Sequence, residues 1–204
     1  MAGHPNIDEQ TLIANAKRGD LDAFNALVLA YQDALFSVTY RIMGDEMSAA
    51  DSTQDAFITA YRRLETYKGG NFRAWLFKIA TNTCYDALRY QKRRPATPLD
   101  DLAGDGYDDG PPIADSGISP EQAALNRELN AAIQECISAL NTEQRIALVM
   151  CDVEGYSYQE IADSGDVQIG TVKSRLSRAR ASVRQCLQAF EELLPAAYRL
   201  RGKD

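Results

Sequence analysis

Hydrophobic residues recur at steps of three and four positions along most of the chain, which is the period of an amphipathic helix. The first long apolar stripe ends at Gly44 and comprises Leu21, Phe24, Leu27, Val28, Tyr31, Leu35, Val38 and Ile42. A second apolar stripe follows Ser48, which is a predicted N-cap with Asp51 three residues later. A third spans Phe72 to Arg93. Because no alternating β-branched run of useful length interrupts these stripes, the pattern predicts an all-α fold.

The second half of the chain continues the helical pattern. Ser119 and Pro120 form a predicted N-cap followed by proline at the first helical position, where its missing N–H is harmless. Further helices are predicted over about 121–140, 142–153, 157–164 and 168–190.

Residues 95–120 break the helical pattern. The segment holds five of the seven prolines, four glycines and six aspartates, with no lysine or arginine. Such a composition cannot bury enough apolar area to offset the entropy of ordering the chain, so it predicts a flexible acidic linker. The sequence therefore predicts two helical domains, residues 1–94 and 121–204, joined by that linker.

The segment from Tyr156 to Arg184 has the pattern of a helix-turn-helix. Ser157 and Glu160 form a predicted capping box, and Gly165 is the predicted site of a tight turn with positive φ. The next helix carries five cations outside its apolar face, with no acid between them: Lys173, Arg175, Arg178, Arg180 and Arg184. This pattern favours insertion of the second helix into a major groove of DNA; the plainer alternative is a solvated basic face.

The net charge of the chain is −7, which by itself disfavours binding to phosphates. The charge is unevenly distributed, however. From Lys68 to Arg94, seven lysine and arginine residues stand against the single acid Asp86, which gives a local charge of +6. Since the Debye length is about 8 Å in physiological salt, distant acids are largely screened from such a surface. Local charge therefore decides in favour of a nucleic-acid partner.

Cysteine and histidine content limits the possible chemistry. The four cysteines, Cys84, Cys136, Cys151 and Cys186, are widely spaced and predicted to be buried thiols, not a disulfide or metal framework. The single histidine, His4, lies near the N-terminus, so we predict no catalytic residue, no cofactor and no metal site. No apolar run approaches the roughly 18 residues of a membrane span, and no signal peptide is recognisable, so we expect a soluble, cytoplasmic protein.

The predicted helix from Phe72 to Arg94 interleaves basic residues with the aromatic residues Phe72, Trp75, Phe77, Tyr85 and Tyr90. Cations neutralise phosphates, while aromatic faces stack on unpaired bases at about 1–3 kcal/mol per base. The mixture favours single-stranded or melting DNA. Two alternatives stay open: Trp75 as a core residue, and the run at residues 92–94 as a helix end that complements the macrodipole.

Two segments resemble a known family, the extracytoplasmic-function (ECF) sigma factors of bacterial RNA polymerase. The segment from Ala49 to Arg94 is similar to sigma region 2. Three features carry this similarity: the motif DSTQDAF, which begins at Asp51, the motif WLFKIATN, which begins at Trp75, and the basic end of the segment. The segments GYSYQEIA from Gly155 and IGTVKSRL from Ile169 resemble sigma region 4. The motifs occur in the family's order, with a linker between them, over about residues 20–190.

This resemblance implies partners and residue roles. Core RNA polymerase would bind the face formed by Asp51, Gln54, Asp55 and Ile58. The −10 promoter element would be recognised and melted by Arg73, Trp75, Lys78, Asn82, Arg89, Lys92, Arg93 and Arg94, with Asn82 near the pocket for a flipped-out base. The −35 element would be recognised by Thr171, Lys173, Ser174, Arg175, Ser177 and Arg178. An anti-sigma factor is a further implied partner, and no membrane insertion is expected.

The predicted function is that of an alternative sigma factor, which directs core polymerase to a subset of promoters and nucleates strand opening without catalysis. A stand-alone helix-turn-helix regulator that binds an operator as a dimer is the first alternative. A metal-dependent nucleic-acid hydrolase using Asp51 and Asp55 is the second. The turn at Asp163–Gln168 departs from the family, lacking an apolar residue near Gly165 and a proline near Gln168.

Overall fold

The computed structural model describes residues 8–93 and 119–194, and every regular element in these two ranges is helical, which confirms the all-α prediction. The helices are α1 (Glu9–Lys17), α2 (Leu21–Met43), α3 (Glu46–Arg63), α4 (Phe72–Arg93), α5 (Pro120–Ser138), α6 (Thr142–Leu148), α7 (Tyr158–Gly165) and α8 (Ile169–Leu187). A π-helical turn at Val149–Val153 extends α6, and 3₁₀ segments at Leu64–Thr66 and Gln188–Leu193 follow α3 and α8.

No described helix has the length and hydrophobicity needed to cross a bilayer. The predicted flexible linker lies outside the described residues, apart from its last two positions.

Helices α1 to α4 form the first domain around an apolar centre. Its fully buried side chains include Leu35, Ile42, Ala49, Ala56, Ala60, Ala80 and Cys84. Small alanines at the contact positions of α3 allow the close approach of α2 and α4, which pack on both sides of it. Phe72, at the start of α4, is almost completely buried, and its ring centroid lies 5.5 Å from that of Tyr67.

Aspartate side chains begin the first three helices. Asp20 accepts hydrogen bonds from two backbone amides of α2, and Asp45 Oδ1 accepts one from the amide of Ser48 at 2.8 Å. The prediction that Ser48 caps α3 is therefore wrong, since Ser48 lies in the first turn. Gly44 adopts the left-handed conformation (φ 91°) that ends α2, and the extended residue directly after it is Asp45, which becomes the cap.

Helices α5 to α8 form the second domain. The predicted start of α5 is confirmed: the Ser119 side chain accepts a hydrogen bond from the amide of Gln122, and Pro120 is the first helical residue. Val172, Leu176 and Ala179 on α8 are buried, the first two in a cluster with residues of α6 and α7. This packing sets the orientation of α8.

The tight turn between α7 and α8 is centred on Asp166 and not on Gly165. Asp166 adopts the left-handed conformation (φ 48°, ψ 48°), whereas Gly165 is the last residue of α7. Aspartate visits this region more readily than most residues because its short polar side chain can form local hydrogen bonds. The prediction of positive φ at Gly165 is therefore wrong by one residue.

The two domains pack directly against each other. One apolar cluster contains the core of the first domain together with Ile137, Leu140, Leu148 and Val149 of the second. Polar contacts add to it: Arg145 Nη1 donates to the backbone oxygen of Ile42 at 2.7 Å. We call the contact of α2 and α4 with α5, α6 and residues 149–163 the domain interface. Nothing in the linker composition predicted it.

Candidate interfaces for nucleic acid and protein

The exposed side of α8 divides the predicted −35 residues between two neighbouring faces. Thr171, Ser174 and Arg178 are spaced by three and four residues, are exposed and form one face. Lys173 and Ser177 form a second exposed face beside it. Arg175 is half-buried and lies toward the packed side of the helix. The structure thus brings together five of the six predicted residues and sets Arg175 at their edge.

Arg180 belongs to the second of these faces but binds within the protein. Its guanidinium forms a two-pronged contact with Asp152, with Nε–Oδ2 and Nη2–Oδ1 distances of 2.9 and 2.6 Å. Nη1 also donates to the Tyr158 hydroxyl at 3.3 Å. These hydrogen bonds hold the pKa of Asp152 below its usual range. Arg180 therefore joins α8 to the π-helical turn and to α7, so its charge is not fully available to a phosphate.

The capping box at the start of α7 is confirmed. The backbone amide of Ser157 donates to Glu160 Oε2 at 2.8 Å, and the amide of Glu160 donates to Ser157 Oγ at 3.2 Å. Two otherwise unpaired amides are satisfied in this way, and the pKa of Glu160 is lowered by its hydrogen bonds with Ser157.

Replacing Ser157 by alanine should lower the free energy of unfolding by about 1 kcal/mol, because one cap is lost and a helix of only eight residues depends on its ends. Urea denaturation followed by circular dichroism measures the change. A matched control is Ser182→Ala, an exposed position near the C-terminal end of α8, which we expect to leave the unfolding midpoint unchanged. Equal midpoints for Ser157→Ala and the wild type would contradict the assigned role of the cap.

Helix α4 presents a single polar stripe. Lys78, Asn82, Arg89 and Arg93 follow one another at steps of four and seven residues, which places them on one exposed face, and Lys92 lies exposed beside it. Arg94 lies outside the described residues. The stripe combines cations with one amide and with one carboxylate, that of the exposed Asp86 between Asn82 and Arg89. Its cations are suited to phosphates and its amide to one base edge.

Among the described residues, Trp75 and Arg73 are the predicted −10 residues that lie outside this stripe. The indole of Trp75 is half-buried and packs on the core, 5.4 Å from the ring of Tyr67 and 5.5 Å from that of Phe72. Arg73 lies on the opposite side of α4, with its guanidinium 4.4 Å from the ring centroid of Phe77. It pairs with Glu154 of the second domain at 2.5 Å. In this conformation Trp75 is half-buried against the core, and Arg73 is a domain contact.

Helix α3 exposes all four residues predicted to bind a protein partner: Asp51, Gln54, Asp55 and Ile58, the last 40% exposed. They lie beside a groove of about 1130 Å³ between α2 and α3. Gln54 and Ile58 line this groove directly, and most of its other lining is apolar: Leu21, Phe24, Val28, Phe36, Phe57 and Tyr61. An apolar groove edged by carboxylates fits an amphipathic helix that carries cations.

The contribution of α2 to this α2–α3 groove was missed in the sequence. The apolar stripe predicted for α2 includes Val28 but not Phe36, and neither residue was predicted to bind a partner. The sequence does contain a signal: Phe36 lies outside the predicted stripe and makes the apolar surface of α2 wider than one buried face. In the structure Leu21, at the start of the stripe, is 58% exposed. An apolar stripe wider than the core requires is a sign of a second contact surface.

Cys136 and Cys186 form a disulfide that joins α5 to α8, with Cα atoms 5.6 Å apart. The prediction of four free thiols is therefore wrong for these two. The pairing spans 50 residues and depends on how α5 packs on α8, which spacing alone does not reveal. Cys84 and Cys151 remain thiols, and burial raises the pKa of Cys84 to about 12, which leaves it protonated and unreactive.

A second apolar groove, of about 470 Å³, lies between α5, the π-helical turn and α8. Its lining includes Ile133, Ile137, Leu148, Val183 and Leu187, and the disulfide joins the two helices that form its walls.

Within residues 8–93 and 119–194, no three histidine, cysteine, aspartate or glutamate side chains lie together in a way that could hold a metal ion.

Comparison with known proteins identifies relatives of both halves of the chain. Residues 27–94 match the family model of sigma-70 region 2, and residues 130–183 match that of sigma-70 region 4. The chain is 37% identical over 183 residues to the RNA polymerase sigma-H factor of Pseudomonas aeruginosa, which covers 88% of this chain and 94% of that protein. It is 35% identical over 181 residues to the ECF RNA polymerase sigma-E factor of Escherichia coli, which covers 87% and 93%.

Two solved structures share the fold. One is CnrH in complex with the cytosolic domain of CnrY, with a TM-score of 0.60, 25% identity and coverage of 89% of this chain and 97% of that one. The other is the sigma factor RpoE of Bartonella quintana in complex with the anti-sigma factor NepR, with a TM-score of 0.60, 25% identity and coverage of 80% and 96%.

Proposed function

The chain belongs to the ECF group of the sigma-70 family and is an alternative sigma factor of bacterial RNA polymerase, and from this premise we propose how its surfaces divide the work of initiation. Region 2 and region 4 occur in one chain and in the family's order, which separates it from a stand-alone helix-turn-helix regulator. We assign residues 1–94 to polymerase binding and the −10 element, and residues 121–204 to the −35 element.

The α2–α3 groove is the proposed docking site for core polymerase. The exposed carboxylates of Asp51 and Asp55 stand beside an apolar surface that includes Ile58, so charge steers the partner and apolar burial holds it. The geometry of this groove is the observation that carries the proposal. Asp33 and Arg62 in the lining offset each other, so Asp51 and Asp55 beside it leave an excess of negative charge that repels DNA and attracts a basic amphipathic helix.

The α4 stripe is the proposed surface for the −10 element. Its cations bind phosphates of the displaced strand, and Asn82 offers an amide that can bond to the edge of a flipped base. The chain itself is not an enzyme in this proposal: it captures unpaired bases and thereby favours strand opening, while polymerase carries out synthesis. It acts in the cytoplasm, where the polymerase works.

The face of α8 formed by Thr171, Ser174 and Arg178 is the proposed reader of the −35 element. We expect Arg178→Ala to weaken −35-dependent initiation by about 1–3 kcal/mol if the guanidinium bonds to a guanine edge. Arg175→Ala, at the half-buried edge, is the matched comparison and should have the smaller effect. Run-off transcription on promoter variants measures both; an equal loss on every variant would make Arg178 a phosphate contact.

A protein inhibitor is the remaining proposed partner. The two solved relatives, CnrH and RpoE of Bartonella quintana, are bound to CnrY and to the anti-sigma factor NepR respectively. We propose that an anti-sigma factor likewise binds this chain and competes for its polymerase-binding surfaces.

The experiment that tests the proposed function is run-off transcription with core polymerase on a library of promoter sequences. Addition of the purified chain should produce transcripts from a subset that shares −35 and −10 sequences. DNA binding without polymerase, with no new transcripts, would contradict the proposal and favour a stand-alone regulator.

A further inference from the structure

One carboxylate, that of Asp86, lies within the cationic stripe of α4. It is the single acid of the basic segment from Lys68 to Arg94, and it is exposed. At 3.6 residues per turn, four exposed residues lie within about 80° of it around the helix axis: Lys78, Asn82, Arg89 and Arg93. A carboxylate here repels the phosphates that the neighbouring cations attract, so it weakens binding to DNA of any sequence.

Contacts within the protein do not account for Asp86. In the two described ranges, no lysine or arginine forms an ion pair with its carboxylate. The guanidinium of Arg89 instead lies over the ring of Tyr85, 5.5 Å from the ring centroid, and Arg93 Nε donates to the backbone oxygen of Arg89 at 3.3 Å. Aspartate is also among the weaker helix formers, so neither pairing nor helix propensity explains an acid in the second half of α4.

An aromatic ring lies one helical turn beyond this carboxylate. Tyr90 is 56% exposed and follows Asp86 by four residues, a spacing at which Cβ atoms on a helix lie about 6 Å apart. A ring and a carboxylate at this separation suit one unpaired base, because the ring can stack on the face of the base while the carboxylate accepts hydrogen bonds from its edge.

The chemistry of the base edge decides which base fits. An ionised carboxylate only accepts hydrogen bonds, through two oxygens side by side. Unpaired guanine offers two adjacent donors on its Watson–Crick edge, the N1–H and the 2-amino group. Adenine and cytosine each offer one amino group beside a ring nitrogen whose lone pair repels the carboxylate, and thymine offers one N–H between two carbonyl oxygens. Guanine is therefore the base whose edge matches a carboxylate with two hydrogen bonds.

We propose that Asp86 and Tyr90 together recognise one unpaired guanine of the −10 element, and we call this pair the guanine site. The inference deepens the proposed function and rests on it, because the α4 stripe is the proposed surface for the displaced strand. Asn82 lies one turn earlier, about 6 Å along the axis at 1.5 Å per residue, so it serves a neighbouring nucleotide. A strand without guanine at the site meets a negative charge that nothing offsets, and the carboxylate thus contributes selectivity at the expense of general affinity.

Single-stranded oligonucleotides that differ by one amino group test the guanine site. The full-length chain is titrated into a fluorescein-labelled strand of about 12 thymidines, a length within the usual range of single-strand sites, with one central deoxyguanosine or deoxyinosine. Inosine lacks only the 2-amino group, so the wild type should bind the guanosine strand about fivefold more tightly. Asp86→Asn should bind both strands alike, because its amide can bond to N1–H and O6 without the 2-amino group. It should also bind an all-thymidine strand about twofold more tightly than the wild type, since a repulsive charge is removed.

Two further variants separate recognition of guanine from stacking and from net charge. Tyr90→Ala should weaken binding of both strands at least about fivefold, because stacking does not need the 2-amino group. Glu121→Gln makes the same change in net charge as Asp86→Asn, at an exposed position in the first turn of α5, and should keep the wild-type preference for guanosine. A Tyr90→Ala variant that binds as tightly as the wild type would overturn the role of the ring.

The outcomes separate this inference from the proposed function. Equal binding of the two strands by the wild type, or binding of neither, would overturn the guanine site. These titrations contain no polymerase, whereas the proposed function fails if run-off transcription on the promoter library gives no transcripts. When transcripts form, the active promoters should share a guanine on the displaced strand of the −10 element, and Asp86→Asn should lose that preference. Active promoters without a shared guanine would overturn the guanine site and leave the proposed function intact.

Discussion

Reduction of the Cys136–Cys186 disulfide should lower the free energy of unfolding of the second domain by about 2–4 kcal/mol. The bridge closes a loop of 50 residues, and most of its effect arises because the oxidised unfolded chain has fewer conformations available. It also joins α5, whose end contacts the first domain, to the helix proposed to read the −35 element. A looser second domain should therefore lose promoter selectivity before it loses its helices.

Urea denaturation of the wild-type chain with and without a thiol reductant measures this difference. The variant Cys136→Ala, Cys186→Ala should unfold at the lower concentration in both conditions. Cys151→Ala is the matched control, because it removes a cysteine outside the bridge and should keep the full response to reductant. Coincident curves for oxidised and reduced wild-type protein would show that the bridge does not form in solution.

Whether the Cys136–Cys186 bridge persists depends on the redox conditions around the protein. A reducing compartment opens most accessible disulfides; Cys186 is half-buried, whereas Cys136 is almost completely buried. We therefore expect the oxidised and reduced forms to differ in stability by the amount given above, with the reduced form prevailing in a reducing compartment.

Local signals in the sequence predicted much of the fold. The limits of α4 at Phe72 and Arg93, the cap at Ser119 and the capping box at Ser157 are all confirmed. Each depends on residues within one helical turn of each other, so sequence alone contains the necessary information.

Features that depend on contacts between distant residues could not be predicted. The partner of Cys136 is 50 residues away, and that of Arg73 is 81 residues away, across the linker. A basic residue near the start of α4 looks the same in sequence whether it faces a phosphate or Glu154. The prediction of the turn residue failed for a different reason: Gly165 and Asp166 are adjacent, and both residue types tolerate the left-handed conformation.

The candidate sites were predicted as lists of residues, and the structure sorts those lists into surfaces. Asn82 and Arg93 share a face of α4 that excludes Arg73, and Arg178 shares a face of α8 that excludes Arg175. The α2–α3 groove shows in addition that α3 is only one wall of the proposed polymerase site.

Replacing Asp55 by lysine should weaken binding of core polymerase about 100-fold, or roughly 2.7 kcal/mol, because a like charge then faces the cations expected on the partner. Asp55 is exposed in the middle of α3, so the change should not disturb the fold. Fluorescence anisotropy of labelled protein titrated with core polymerase measures the affinity, and circular dichroism checks the helices. Glu121→Lys, which makes the same change of charge on an exposed site of the second domain, should bind as the wild type does.

Salt dependence tests the physical cause of that loss. If Asp55 acts through charge, the difference between Asp55→Lys and the wild type should shrink as ionic strength rises, because screening weakens attraction and repulsion alike. Ile58→Asp also places a charge beside the groove, but its main cost is lost apolar burial, so its deficit should persist in high salt. A deficit for Asp55→Lys that does not change with salt would mean that the side chain acts by shape, and the carboxylates beside the groove would then have no steering role.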